Sequence, residues 1–350
     1  MNILYGVCGE GMGHASIASE VIPYLERRGH KIKIFTFGKG ESLLRGKDIF
    51  SVEGLLISYE HGRVSHLKTA YSNMRNFPKN VLKIGKIQKV IEEFKPELCV
   101  SDNEPIVAQI AYWKKIPLIS FSALNTFVFC DVKKPLAKKS SALLAKAIIR
   151  SIVPKADERI ALSFFNETFE KKGVTFTSPV IRTAIRKLKP RKKEFVIAYL
   201  AKSHDYLVKI LEKIDESFVV YGMDNPRKKE NIVFKSTPET FAQDLNKCKA
   251  IISNSGFSVI SEAIYLKKPI FMIPIGGQYE QFYNCLVVQK KRIGEFSDKP
   301  SEEAIRFFLD NLDTYETNMK KIKYDPDEPL RVIERAVRKF DTKLHAPDRI

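Results

Sequence analysis

The stretch GVCGEGMGHAS, Gly6 to Ser16, crowds four glycines between an apolar strand and a helix and then places a histidine at position 14. Glycines there let the backbone turn tightly at the end of a strand, where the phosphates of a dinucleotide would lie. That fingerprint needs a third glycine at position 14 and an acidic residue closing the second strand. His14 stands in the first place, and KIKIFTF runs into Gly38, Lys39 and Gly40, with Glu41 only past the turn. What survives is a histidine opening a helix over a crevice, either as a ligand-facing base or as a helix-start residue bonded to backbone. A second stretch, ELCVSD, ends in Asp102 and is followed by Asn103, Glu104 and Pro105. In a doubly wound sheet this strand neighbours the first, so Asp102 and His14 would emerge at one edge. A carboxylate on one imidazole nitrogen stabilises the protonated ring and makes the other nitrogen a better general base. Asp102 could equally cap the helix that Pro105 would begin.

The longest informative run, Ala250 to Cys285, holds a different chemistry. A strand ends at Ser253, and Asn254 and Ser255 precede a helix starting near Gly256. Free amides at a helix start, with the positive end of its dipole, suit a diphosphate without a metal. Glu262, about two turns on, is within reach of a ribose, or else marks a solvent face among Val259, Ile260, Ala263 and Ile264. The next strand, IFMIPI, leads to Gly276, Gly277, Gln278, Glu280, Gln281 and Asn284, a loop dense in hydrogen-bonding groups that fits a polyhydroxylated ligand.

Strand-like runs alternating with amphipathic stretches position these groups. NILYGV, KIKIFTF, ELCVSD and IPLISF occupy the first half; EFVIAYL, SFVVYG, NIVFK, AIISN and IFMIPI restart the pattern in the second. Alternation of this kind predicts α/β architecture with parallel sheets: two doubly wound, Rossmann-like domains facing across a cleft. The divisions expected are 1–181, a basic linker at 182–193, 194–325, and a C-terminal helix at 326–350 that could cross back to the first domain.

At 350 residues the chain can bury two cores. Its five cysteines form no CxxC pair, which argues against a disulfide framework or zinc site and for a reducing, cytoplasmic setting. No run resembles a signal peptide or a membrane span. The net charge of +18 would attract nucleic acid, anionic lipid or a phosphorylated substrate. It concentrates in Lys133 to Lys155 and Arg182 to Lys193, each with seven Lys or Arg and no acid. The first would form a basic amphipathic helix able to rest on an anionic bilayer, or an ordinary core helix with a lysine-covered back. A nucleic-acid module would bring interleaved aromatics and recognition motifs that this chain lacks, so that partner is not expected.

The motifs ILYGVCGEGMGH, SDNEP, VIAYLAKSH with VVYG, and SNSGFSVISEAIYLKKPIFMIPIGGQYEQFYNC resemble those of the two-domain GT-B glycosyltransferases, most closely a bacterial and archaeal branch of family 1-like enzymes. More distant likeness extends to the lipid-linked N-acetylglucosamine transferase of wall synthesis, galactolipid synthases and plant UDP-sugar transferases. The resemblance implies that Ser255, Gly256 and Phe257 give amides to the diphosphate of a nucleotide sugar, with Lys202 or His204 meeting the charge that develops on it. Glu262 would bind the ribose, Glu280 and Gln281 the sugar hydroxyls, and Phe241 would lie at the base edge. His14 would be the general base and Asp102 its partner, with Gly11, Gly13, Asn103 and Glu104 on the acceptor side. Ile17 and Asn103 depart from the branch, which often carries an Arg and an aromatic there.

The implied reaction moves a hexose or N-acetylhexosamine, from a UDP-sugar, to an acceptor hydroxyl with inversion. No cofactor or metal is expected, since no Asp-x-Asp pair of the metal-dependent type stands among the motifs. The acceptor could be lipid-linked, with the enzyme peripheral at the inner face of the membrane. The alternative is a UDP-sugar epimerase of the same architecture, for which His204, Asp205 and Glu104 are the nearby acid–base candidates.

Overall fold

The structure is a computed structural model that describes all residues except 55–57, 61–62, 131, 134, 166–170, 190, 192–193, 200–204, 223–226, 237–239 and 342–350. The first half supplies β1 (Asn2–Val7), β2 (Lys31–Thr36), β3 (Ile49–Ser51), the short β4 (Tyr59–Glu60) and β5 (Arg63–Val64), then β6 (Leu98–Asp102), β7 (Leu118–Ser122), β8 (Glu158–Leu162) and β9 (Thr175–Thr177). The second half supplies β10 (Val196–Tyr199), β11 (Phe218–Tyr221), β12 (Arg227–Lys229), β13 (Ile232–Lys235), β14 (Ala250–Ser253), β15 (Ile270–Met272) and β16 (Gly294–Phe296).

These strands build two seven-stranded sheets, ordered β3-β2-β1-β6-β7-β8-β9 and β12-β13-β11-β10-β14-β15-β16. All pairings in them are parallel except β12 with β13. Parallel strands are covered on both faces and therefore read as nearly unbroken apolar runs, as β6, β7 and β14 do. In β1, Ile3, Tyr5 and Val7 enter the core under the Gly13–Glu26 helix, while Leu4 enters the core on the opposite face. Each such buried side chain contributes about 1.5–3 kcal/mol.

The parallel strands of each sheet reverse their order once, between β1 and β6 and between β10 and β14. Ligands in open α/β sheets bind outside the carboxyl ends of strands at such switch points. The two halves meet through aromatic packing: the Phe127 ring lies 5.5 Å from both Tyr279 and Tyr283, and Phe164 stacks on Phe257 at 4.5 Å. The Glu328–Arg338 helix packs in the core of the first sheet, as Leu330, Ile333 and Val337 show. Tyr24 donates to Glu334 at 2.8 Å and Arg28 pairs with the same carboxylate at 2.7 Å, pinning that helix to the first domain.

Sequence patterning missed the 29-residue His66–Phe94 helix. Its first half scatters apolar residues among Asn, Ser, Lys and Arg with no clear stripe, and only the second half, with Ile84, Ile87, Ile91 and Phe94, shows helical spacing.

Candidate active site

At the first switch point, the register pairs Val7 of β1 with Asp102 of β6. The chain leaves β1 through the glycine loop and enters the Gly13–Glu26 helix, whose second residue is His14. Imidazole Nδ1 lies 3.0 Å from Asp102 Oδ1, with the histidine side chain 19% exposed and the carboxylate fully buried. The contact lies off the N–H axis, and neither carboxylate oxygen has an aligned hydrogen bond, so the attraction is chiefly Coulombic. Burial alone would push the imidazole pKa below 6.5. The Asp102 charge and contact, with Glu280 and Glu10 farther off, outweigh it, and the net shift is upward.

Asp102 is free for this pairing because Glu104 caps the following helix. The Glu104 side chain accepts from Ile106 N at 3.0 Å and Val107 N at 2.7 Å, and Pro105 is the first helical residue. This corrects the expectation that Glu104 faces an acceptor: it is completely buried, and burial pushes its pKa from 4.5 to about 7 against the pull of those two amides. Asn103 takes the left-handed conformation at φ 56°, which turns the chain between Asp102 and the cap.

The glycines divide their roles. A Cβ on Gly9 would sit 1.8 Å from Phe37 O, so that position is closed by packing. Gly11 has φ +74° and open space around it, while a Cβ on Gly13 would come within 3.3 Å of Ser258 Oγ from the second domain.

At the second switch point, β14 runs into Asn254, Ser255 and the helix Phe257–Tyr265. The Ser255 hydroxyl is buried and contacts Cys285 Sγ at 2.9 Å. The Gly256 N–H turns back onto Asn254 O at 2.9 Å, so it is not spare for an anion as expected. The first backbone bond of the helix is Ile260 N to Gly256 O, at 3.2 Å, which leaves the amides of Phe257, Ser258 and Val259 ahead of it. Phe257 itself is wedged between the domains against Phe164.

Glu262 is neither solvent-facing nor alone. Its buried carboxylate takes two hydrogen bonds from Arg182, Nε to Oε1 at 2.5 Å and Nη2 to Oε2 at 2.7 Å. Arg182 starts the basic linker, and its neighbour Thr183 donates through N and Oγ1 to Glu20 of the Gly13–Glu26 helix, at 2.9 and 2.6 Å. Adjacent linker residues are thus fastened to opposite domains. Sequence reasoning missed Arg182 because one Arg in a basic stretch carries no distinguishing mark; the Glu two turns into a helix was the only hint that a cation was needed.

The loop after β15 is equally organised. Gln281 Oε1 accepts from Ile275 N at 3.0 Å, and Asn284 Nδ2 donates to Ser255 O at 3.0 Å and to Glu280 Oε1 at 3.2 Å. Glu280 therefore stands on the His14 side of this loop, its pKa raised by burial against the opposing pull of His14 and the Asn284 bond. The β4–β5 pair of the first domain touches the loop, Val64 N donating to Gly276 O at 2.8 Å. Phe241 is buried against Tyr221 and Tyr199, at ring separations of 5.2 and 5.4 Å, and is the first residue of the Phe241–Lys247 helix that carries Asp244.

Lys202 and His204 lie outside the described residues. The chain's one Asp-x-Asp string, Asp325-Pro326-Asp327, is far from either switch point in sequence, and its carboxylates pair with Arg331 and Arg186. With Glu104 committed to a helix cap, the epimerase alternative loses one of its acid–base groups and finds no support.

Comparison with known proteins agrees with this geometry. The profile of glycosyl transferase family 1 matches residues 1–313. An uncharacterized glycosyltransferase of Methanosarcina mazei is 23% identical, covering 92% of this chain and 93% of its own length. The UDP-N-acetylglucosamine--N-acetylmuramyl-(pentapeptide) pyrophosphoryl-undecaprenol N-acetylglucosamine transferase of Clostridium botulinum is 24% identical, over 91% of this chain and 94% of its own. Among solved structures, the glycotransferase of kitacinnamycin superposes with a TM-score of 0.67 at 14% identity, over 97% of this chain and 98% of its own. Phytolacca americana UGT2, complexed with UDP-2fluoro-glucose and pterostilbene, gives 0.66 at 11% identity, over 97% and 99%. Two facing Rossmann-like sheets with a basic histidine at one switch point and an open helix start at the other are thus the GT-B fold, and the chain belongs to glycosyl transferase family 1 as a hexosyltransferase.

Proposed function

We propose that the protein transfers a sugar from a nucleotide diphosphate sugar, UDP-linked, to an acceptor hydroxyl with inversion. The observation that carries this is the 3.0 Å His14–Asp102 contact at one switch point, turned toward the helix start and the Glu280 loop of the other. The diphosphate would take the amides of Phe257 and Ser258, and the helix dipole would stabilise the charge that builds on it as the glycosidic bond breaks. Glu262, held flat by Arg182, would accept from the ribose; Glu280 and Gln281 would meet the sugar hydroxyls. His14, neutral, takes the acceptor proton as the hydroxyl attacks from the face opposite the leaving group, and Asp102 stabilises the imidazolium that forms.

A lipid-linked acceptor at an anionic surface is supported by the Lys139–Ile152 helix. Leu143, Leu144 and Ile148 stand more than half exposed on it, as do Tyr112 and Trp113 on the Pro105–Lys114 helix, and Lys155 lies 5.2 Å over the Tyr112 ring. Apolar groups of this size ringed by cations suit an interface. No helix among the described residues is long and apolar enough to cross a membrane. The name of the Clostridium relative points the same way.

The test is calorimetry with a panel of nucleotide sugars, followed by release of nucleotide in the presence of polyprenyl-diphosphate acceptors. A folded sample that binds no nucleotide diphosphate sugar would sink the proposal.

A further inference from the structure

The Tyr279–Lys290 helix begins beside Glu280, and its far end opens on a separate cavity of about 420 Å³. Twelve residues at about 1.5 Å each put the two ends roughly 18 Å apart. Four parts of the chain form its walls: Phe164 and Phe165 after β8, Ser178 after β9, the turn Lys290, Lys291 and Arg292, and the segment crossing back to the first domain, with Lys321 and Lys323.

Five cations thus share one concave space. Among the described residues none of them is paired with a carboxylate, whereas Lys235, Lys249 and Lys339 elsewhere each are. The acid in the wall, Glu328, has one oxygen engaged by Ser178 N at 3.1 Å. Two of the cationic heads, Lys291 and Lys321, and the backbone of Arg292 have partners within the wall. Lys291 Nζ lies 5.0 Å from the Phe165 ring centroid, Asn318 donates to Arg292 O at 2.9 Å, and Lys321 donates to Asn318 Oδ1 at 3.3 Å. Like charges gathered in this way repel one another, and a bound polyanion relieves that repulsion.

We infer that this cavity binds a soluble ligand carrying two or more phosphate groups and thereby ties the two domains and the crossing segment together. The volume suits a small molecule, and its concavity favours a ligand that enters whole over a headgroup fixed in a bilayer plane. The site is distinct from the donor's, and it does not depend on which sugar is moved.

Pyrophosphate is the probe, titrated calorimetrically into the full chain at physiological salt, with and without saturating UDP because the Phe257 helix start also attracts anions. The expected result is saturable one-to-one binding that survives UDP and weakens about tenfold or more in Lys291→Gln/Arg292→Gln, the loss of two charge-assisted contacts. Lys321→Gln/Lys323→Gln, on a different segment, should weaken it as well, which guards against a local fold defect in the first variant. Binding abolished by UDP, or unchanged in both double variants, overturns the inference. Sedimentation with phosphatidic acid vesicles that depends on these residues overturns the choice of a soluble ligand.

Discussion

The two switch points share a topology and differ in almost everything else. At β1/β6 the strand ends carry a titratable pair, His14 and Asp102, with the neighbouring carboxylate of Glu104 removed from solvent as a helix cap. At β10/β14 the strand end leads to bare amides, and the one carboxylate on the helix behind, Glu262, is matched in charge by Arg182. Parallel order supplies the location in both halves. Local residues decide whether it holds a base whose proton can move or a fixed positive field that waits for an anion. A transferase needs one of each, because the nucleophile must lose a proton while the leaving diphosphate gains charge.

The largest effect should come from removing the movable proton site. His14→Ala is expected to lower kcat about a thousandfold, within the range for a general base, while nucleotide-sugar affinity by calorimetry stays within about twofold. Loss of donor binding instead would mean that the two switch points have been assigned the wrong way round. Asp102→Asn should cost about a hundredfold in kcat and also change the pH profile. Because the Asp102 charge raises the imidazole pKa, its removal lets burial lower it. The neutral base then persists to lower pH, and the acid limb of kcat moves down. A loss of rate with no movement of that limb would reduce Asp102 to a packing role.

At the other switch point, Glu262→Gln should raise the donor KM about tenfold with little change in kcat, the signature of ground-state binding rather than chemistry. Arg182→Met should do the same and also lower the melting temperature, since it leaves a buried carboxylate unpaired. Equal kcat effects for these variants and for Asp102→Asn would erase the distinction between the two halves.

Much of this was legible in sequence. Strand ends are readable from apolar runs, so His14, Asp102, Ser255 and the loop at Glu280 could be placed at sheet edges before any coordinates. Which carboxylate in Asp102-Asn103-Glu104 caps the helix was not, because both acids lie within reach of its first amides and only the left-handed turn at Asn103 settles the choice. Arg182 and Glu262 are 80 residues apart, and nothing local in either stretch announces the other. The short β9 is built of strand-forming residues, Thr175, Phe176 and Thr177, but three residues make too short a run to read, and its pairing with β8 completes it.

The smallest expected effect tests how the cap sets Asp102 free. Glu104 has a folded pKa of about 7, raised from 4.5 mainly by burial. Between those values the folded protein holds a proton that the unfolded chain has released, so stability rises as pH falls from about 7 to about 4.5 and levels off below. Above pH 7 the buried side chain must be charged, and its two amide bonds only partly offset the cost. Glutamine at this position keeps one oxygen for the amides and cannot ionise. Glu104→Gln should therefore lose about 1 kcal/mol at pH 5, the scale of a weakened cap, and recover relative to the native protein at pH 8.5. Thermal melts of both proteins across that range would measure the difference. A gap that stays constant with pH would mean that Glu104 is charged at little cost, and that Asp102 shares its fold edge with a second anion rather than standing as the single charge facing His14.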